Sequence, residues 1–277
     1  EQARPRWCAA RALGTRNEPR AVRALAKALE EDASWAVRLE AAKALGEQRT
    51  DVAFEALCAA ENDPDARVRR AVATALGCFT EARAADRLLA WGERGDASYL
   101  VEAAIRRSLG RTRDPRAREV LARSLREDAG SWGEVVQQGA AEGLGKLKDP
   151  AVIEPLLQSL AEISTDPTVR RAVLSALSEA REVVADETKL RLIREVAEAQ
   201  LDTYDPNVRI AVASLLAAFG HRGGFSVLHR MVGRDLDGRV RRAAREASRD
   251  LSAGLASPPE LAKLRDARRA KEAQLDK

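Results

Sequence analysis

Aromatic residues are scarce in this 277-residue chain, at 4% of the sequence, and histidine appears only twice. A β-rich core draws on aromatic and β-branched side chains. Here alanine and leucine dominate the 45% hydrophobic share, and such residues favour helices that pack closely on one another. Long apolar runs are missing as well. No stretch approaches the roughly 18 unbroken apolar residues of a membrane span, and no secretory-leader pattern opens the chain. Charge of one sign is lacking too: 47 basic residues face 43 acidic ones, for a net charge of +4. That mixed surface differs from the one-signed field of a dedicated nucleic-acid binder. Cysteine is limited to Cys8, Cys58 and Cys78, with no CxxC pair. All three are expected reduced and packed as small apolar groups, which suits a cytoplasmic location.

The shortage extends to chemistry. His221 and His229 flank "RGGFSVL", eight residues apart, and no partner for metal or acid-base work converges on them locally. They are expected as a turn residue and a helix-surface residue. "GHRGG" lacks the Lys-Ser/Thr of a phosphate loop and follows no strand. No catalytic residue, metal site or cofactor is therefore expected in this chain.

What the chain does have is repetition. "ASWAVRLEAAKALGEQRTD" returns as "DARVRRAVATALG", "ASYLVEAAIRRSLG", "GEVVQQGAAEGLG", "DPTVRRAVLSALS", "DPNVRIAVASLLA" and "DGRVRRAAREAS". The anchoring valines are Val37, Val68, Val101, Val136, Val169, Val208 and Val240, and Pro5 fits the same frame. Spacing in the thirties with no strand signal predicts a solenoid of two-helix repeats. Val37, Ala41, Ala44 and Leu45 define the buried stripe of one anchored helix. Gly14, Gly46, Gly77, Gly110 and Gly145 are expected to end such helices in the left-handed conformation. Partner helices are expected from Pro19, Asp51, Pro115 and Pro150, with Asp-Pro pairs as starts. The expectation is about seven hairpins plus a leading helix over residues 1–251. Residues 252–277 are expected as a linker and a polar C-terminal helix after the Ser-Pro-Pro break.

Three rows of side chains follow from the frame. Arg38, Arg69, Arg170, Arg209 and Arg241 occupy the place after each anchor and are expected to form a ladder with turn acids Asp65, Asp166, Asp205 and Asp237. Glu102 and Gln137 interrupt that row and mark a candidate ligand-facing zone. The second and sixth places after the anchors should face a groove, giving Arg70, Arg107, Gln138, Glu142 and Arg171 as candidates for peptide contact. "GRVRRAAREASR" is the most basic helix, but no aromatic platform interleaves with it, which disfavours nucleic acid. Trp7, Trp35, Tyr99, Trp132 and Tyr204 fall near turns and are expected to pack between repeats.

The Val-Arg-xx-Ala-Ala-xx-Leu-Gly skeleton with Asp-Pro turns resembles the HEAT repeat, in the variety shared with phycobilin-lyase-type HEAT proteins, over nearly the whole chain to about Leu251. That resemblance implies an all-α, right-handed superhelix with the anchored helices lining a concave surface. The ordered differences among repeats also resemble the C-terminal HEAT-like region of bacterial aminopeptidase N-like zinc metallopeptidases, through Ser98, Tyr99, Val101, Glu102 and Ala103 and through Ser131 and Trp132. It implies a helical module beside a peptidase domain, gating its active site and contacting peptide. The family's HExxH zinc signature and its Gly-x-Met-Glu-Asn motif are both absent. The resemblance thus implies a non-catalytic scaffold whose partner is a protein or peptide, with a peptidase domain linked upstream; a free-standing protein-binding adaptor is the alternative.

Overall fold

The computed structural model describes residues 3–16, 18–127, 132–161, 166–184, 186–219 and 223–255. Among them every regular element is helical, and they divide into two units, Glu1–Val183 and Val184–Lys277.

The first unit holds α1 (Ala3–Gly14), α2 (Pro19–Glu31), α3 (Trp35–Gln48), α4 (Asp51–Ala59), α5 (Ala66–Leu76), α6 (Ala82–Arg94), α7 (Tyr99–Thr112), α8 (Ala117–Arg126), α9 (Gly133–Lys146), α10 (Ile153–Ala161) and α11 (Pro167–Glu179). Odd-numbered members are the anchored helices, with Pro5 at the anchor place in α1 and valine in the others, and each packs on the next odd one. This is the α-solenoid the repeat frame predicts. An even-numbered helix turns one stripe inward: α2 buries Ala21, Val22, Leu25 and Leu29, and its outer face is solvated. An odd one is sandwiched and buries more. In α3, Ala42, Gly46 and Gln48 join Val37, Ala41, Ala44 and Leu45.

Side-chain caps set several starts. Asp65 accepts from the Arg67 amide, Asp166 from that of Thr168 and Thr50 from that of Ala53. Two proline-led starts differ from expectation. Residues Pro150–Val152 form a 3-10 turn before α10, and α8 begins at Ala117, two residues past Pro115.

The glycines require a correction. Gly14, Gly46, Gly77, Gly110 and Gly145 do not adopt positive φ; Gly95 is the one described glycine that does. They sit where neighbouring odd helices touch. A Cβ on Gly46 would lie 2.7 Å from the Ala75 Cβ, one on Gly77 2.6 Å from the Ser108 Cβ, and one on Gly110 1.9 Å from the Gly143 carbonyl oxygen. Left-handed helix ends belong instead to Arg49, Arg113 and Lys148, at φ 51°, 59° and 57°. The small-residue spine draws the odd helices together, whereas α4, α6 and α8 make much thinner contact along their own layer. A stack closed up on one side curves toward that side, so the odd helices form the inner layer of this unit.

The second unit comprises α12 (Glu187–Ala199), α13 (Pro206–Phe219), α14 (Gly224–Arg234) and α15 (Gly238–Leu255). Its core includes Ile193, Val212, Leu215, Leu228, Met231, Val240 and Leu251. Anchored helices α13 and α15 again pack directly on each other. The expected C-terminal helix beyond Leu255 lies outside the described residues.

Candidate functional site

A ladder of arginines runs along the turns, and its geometry differs in one respect from the expected one. Arg38 donates from Nε and Nη2 to the Asp63 carboxylate at 2.7 and 3.0 Å, and from Nη1 to the Asp32 carbonyl at 2.9 Å. Arg69 does the same with Asp96 and the Asp63 carbonyl, and Arg209 with Asp235 and the Thr203 carbonyl. Arg6, just after the Pro5 anchor, reaches Asp32 in the same bidentate way. Each guanidinium thus fastens its own turn to the next one. The acceptors are Asp32, Asp63, Asp96 and Asp235. Asp65 and Asp237, expected in that role, cap their own helices, and Asp205 likewise accepts from the Asn207 amide. Asp32 and Asp96 are both held below the usual carboxylate range. For Asp32 the Arg6 hydrogen bond is the main cause. For Asp96, burial raises the value and the Arg69 and Ser98 hydrogen bonds outweigh it.

Glu102 and Gln137 belong to this ladder and do not face the inner surface. Glu102 is buried, accepts from the Asp96 amide and pairs with Arg106 at 3.0 Å. Burial pushes its carboxyl up despite the Arg106 charge. Arg106 goes on to Ser124 on α8 at 2.9 Å. Gln137 donates to the Glu127 carbonyl at 3.2 Å. Where an arginine would bridge two turns, these residues close the turn locally.

Of the second- and sixth-place residues on α5 to α11, Arg70, Thr74, Arg171 and Ser175 are exposed, Arg107, Gln138 and Glu142 are half-buried, and Ala103 is buried. At the centre, Arg107 on α7 is ion-paired with Glu142 on α9, and Gln138 donates to Glu142 at 3.0 Å. Burial raises the Glu142 carboxyl, but the Arg107 hydrogen bond and charge, with Gln138, bring it below its ordinary value. The structure therefore unites three of the sequence-derived candidates across one helix pair. That pair is drawn close at its glycines: a Cβ on Gly139 would lie 2.5 Å from the Ala103 carbonyl oxygen. Arg70 on α5 and Arg171 on α11 stand exposed on either side, with no ion pair among the described residues.

Further along the same rows, at the tenth place after each anchor, lie Arg111, Lys146 and Glu179, which sequence reasoning missed. Lys146 pairs with Glu179 at 2.9 Å. Extending the second and sixth places by one more helical turn would have found them.

The remaining expectations divide. Trp35 does contact the next repeat, with the Arg67 guanidinium 3.4 Å over its ring, although it remains 39% exposed. Tyr204 and Trp132 do not pack between repeats, being 101% and 64% exposed. Cys58 is half-buried, and desolvation pushes its thiol up to about 11, whereas Cys8 is exposed rather than packed. His229 lies exposed on α14, and His221 and Ser131 lie outside the described residues. Among the described residues no three His, Cys, Asp or Glu side chains are grouped to hold a metal ion, and no helix is long and apolar enough to cross a membrane.

The human deoxyhypusine hydroxylase structure is similar at 16% identity and a TM-score of 0.40, covering 84% of this chain and 96% of that one. The CpcE–CpcF complex of phycocyanin lyase from Nostoc sp. PCC7120 is similar at 22% identity and a TM-score of 0.49, covering 91% and 90%. An engineered protein is similar at 19% identity and a TM-score of 0.45, covering 84% and 68%. No curated protein matches the chain by sequence. None of these findings points to an aminopeptidase, so that narrower resemblance rests on the short motifs alone. The model for HEAT repeats matches residues 1–76, 22–106, 55–133 and 130–199, and with well over half of its length so matched, the chain belongs to the HEAT-repeat family.

Proposed function

We propose that this chain is a HEAT-repeat adaptor that holds a protein segment against the exposed face of α5, α7, α9 and α11. The observation that carries the reading is the Arg107–Glu142–Gln138 cluster, a polar group set on a glycine-closed helix pair between two uncommitted arginines. Helices that cannot shift on binding present their side chains with little ordering cost. Gln138 donates one amide N–H to Glu142, so its oxygen is left to accept from a main-chain N–H of the bound segment. Arg70 and Arg171 would each fork to a carboxylate of the partner.

Photo-crosslinking tests this directly. A crosslinking side chain at Thr74 or Ser175, both exposed on this face, should capture the partner, and one at Glu119 on the outer face of α8 should not. Arg70→Glu combined with Arg171→Glu should abolish the capture. Equal capture from both faces would refute the reading. The motifs shared with aminopeptidase N-like enzymes suggest one particular partner, a peptidase domain on the same polypeptide. The gene sequence upstream of Glu1 decides that version without affecting the broader one.

A further inference from the structure

One end of the same face opens into a cleft of about 450 Å³ at the carboxyl ends of α7, α9 and α11. Its lining contains Arg111, Arg113, Lys146, Lys148 and Arg181 against two carboxylates, Glu179 and Glu182. Those carboxylates are already taken, by Lys146 at 2.9 Å and Lys148 at 2.6 Å. The two arginines of α7's end are less committed. Arg111 makes one long hydrogen bond, 3.4 Å to Ser108, and its Nε is buried without a partner. The Arg113 guanidinium has no hydrogen bond among the described residues. The surplus of positive charge is felt locally. Glu182 is held below its ordinary value first by the Lys148 hydrogen bond, with Arg181 and Arg113 contributing through space.

Helix polarity does not account for this concentration. The negative carboxyl end of a helix draws a cation into its last turn, and Arg111 in α7 and Lys146 in α9 already supply one. Arg113 and Lys148 lie beyond the last turn, and both hold left-handed backbone at φ 59° and 57°. Glycine adopts that conformation without strain, and a residue with a Cβ does not. Two long cationic side chains thus occupy strained positions where the fold itself would do better with glycine, and both point the strain at one cleft. Arg49 holds the same backbone outside the cleft, so the left-handed turn belongs to the repeat, and what singles out the cleft is that two such turns carry cations into its lining.

We infer that this cleft binds an acidic segment of a partner protein, with Arg111, Arg113 and Lys148 receiving its carboxylates. Discrete carboxylates can be placed between Glu179 and Glu182, whereas a continuous phosphate backbone would have to pass both. No aromatic residue lines the cleft, so a nucleic-acid strand would find no base-stacking platform. The inference rests on the protein-binding reading only for the nature of the occupant, and the cleft can be probed without the partner.

The probe is a fluorescein-labelled hexaglutamate peptide followed by fluorescence anisotropy. Binding should appear at about 20 mM salt and weaken markedly by about 200 mM as screening sets in. Arg111→Gln, Arg113→Gly and Lys148→Gly should each weaken it by about fivefold or more, the scale of losing a charge-assisted hydrogen bond. The two glycine variants should melt at the parent temperature or above it, since glycine relieves the strain. Arg49→Gly, at the equivalent left-handed position two repeats before Arg113, should gain the same stability and leave binding unchanged. Absence of binding at low salt overturns the proposal, and so does retention of parent affinity in the three cleft variants. Tighter binding of a single-stranded oligonucleotide, lost in those same variants, overturns it in favour of nucleic acid. Arg70→Glu with Arg171→Glu separates the two readings: loss of peptide binding there, with the cleft variants silent, would remove the cleft and leave the face.

Discussion

At the residue scale, the turns are organised by pairs of aspartates two positions apart, which do different work. Asp63 and Asp235 each take the guanidinium of the preceding repeat, while Asp65 and Asp237 cap the helix that follows. Sequence showed that arginine follows all the anchors but Val101 and Val136 and that acids cluster in the turns. It could not assign which acid of each pair receives the arginine, because one residue type satisfies both positions and the choice is made by the distance to the next repeat. The caps carry a pH signature. Asp65 lies near about 2, mainly because Arg67 hydrogen-bonds to it, and Asp237 also near about 2 through Arg239. Both are depressed from an ordinary value of 3.8, so between those values the unfolded chain binds more protons than the folded one. Stability contributed by these groups is therefore complete above about pH 4 and is lost as the pH falls toward about 2. Urea midpoints measured across that window should decline, and Asp65→Asn with Asp237→Asn should flatten the decline. Glu102 acts with the opposite sign and at higher pH: its carboxyl is raised by burial from an ordinary 4.5, so the folded chain binds the extra proton just above that value, stability rises as the pH falls through that range, and Glu102→Gln should abolish the rise.

At the element scale, glycine does the work of spacing. The Leu-Gly ending of five anchored helices was legible, but its purpose was not, since a glycine near a helix end fits both a left-handed stop and a close crossing. The structure separates the two: glycines line the contacts between odd helices, and arginine or lysine makes the left-handed turns. Arg107, Gln138 and Glu142 could be placed on one face by counting from the anchors, because helical period carries over from repeat to repeat. Their hydrogen bonding depends on how far α7 and α9 approach, which only the Gly110, Gly139 and Gly143 contacts determine. Gly110→Ala should cost about 3 kcal/mol or more, because a methyl group there meets a backbone carbonyl that has nowhere to move. Gly233→Ala in α14, where a Cβ would meet nothing within 4 Å, should instead stabilise by about 0.5 kcal/mol through helix propensity. Thermal denaturation of the two variants checks both signs, and similar behaviour of the pair would show that spacing is not what the glycines supply.

At the scale of the whole molecule, a stack held by nearest neighbours distributes its stability in segments. In the first unit each odd helix touches the odd helices before and after it and its own hairpin partners. Among the described residues every substantial contact between helices falls within a repeat or joins neighbouring repeats, so the unit's stability approximates a sum of repeats and interfaces. A binding face built this way gains rigidity in the middle, where α7 and α9 are clasped from both sides, and loosens toward the ends. Leu109 is fully buried in α7, and Leu109→Ala should cost about 2–5 kcal/mol there. Because the penalty is delivered through interfaces, hydrogen exchange should accelerate most in α5 to α9 and least in α1 and α2. The accelerated region contains Arg107, Gln138 and Glu142, so partner capture should fall even though no contacting side chain has changed. A uniform rise in exchange across the unit would mean that it unfolds as one cooperative block, and the link between central packing and the binding face would then lose its basis.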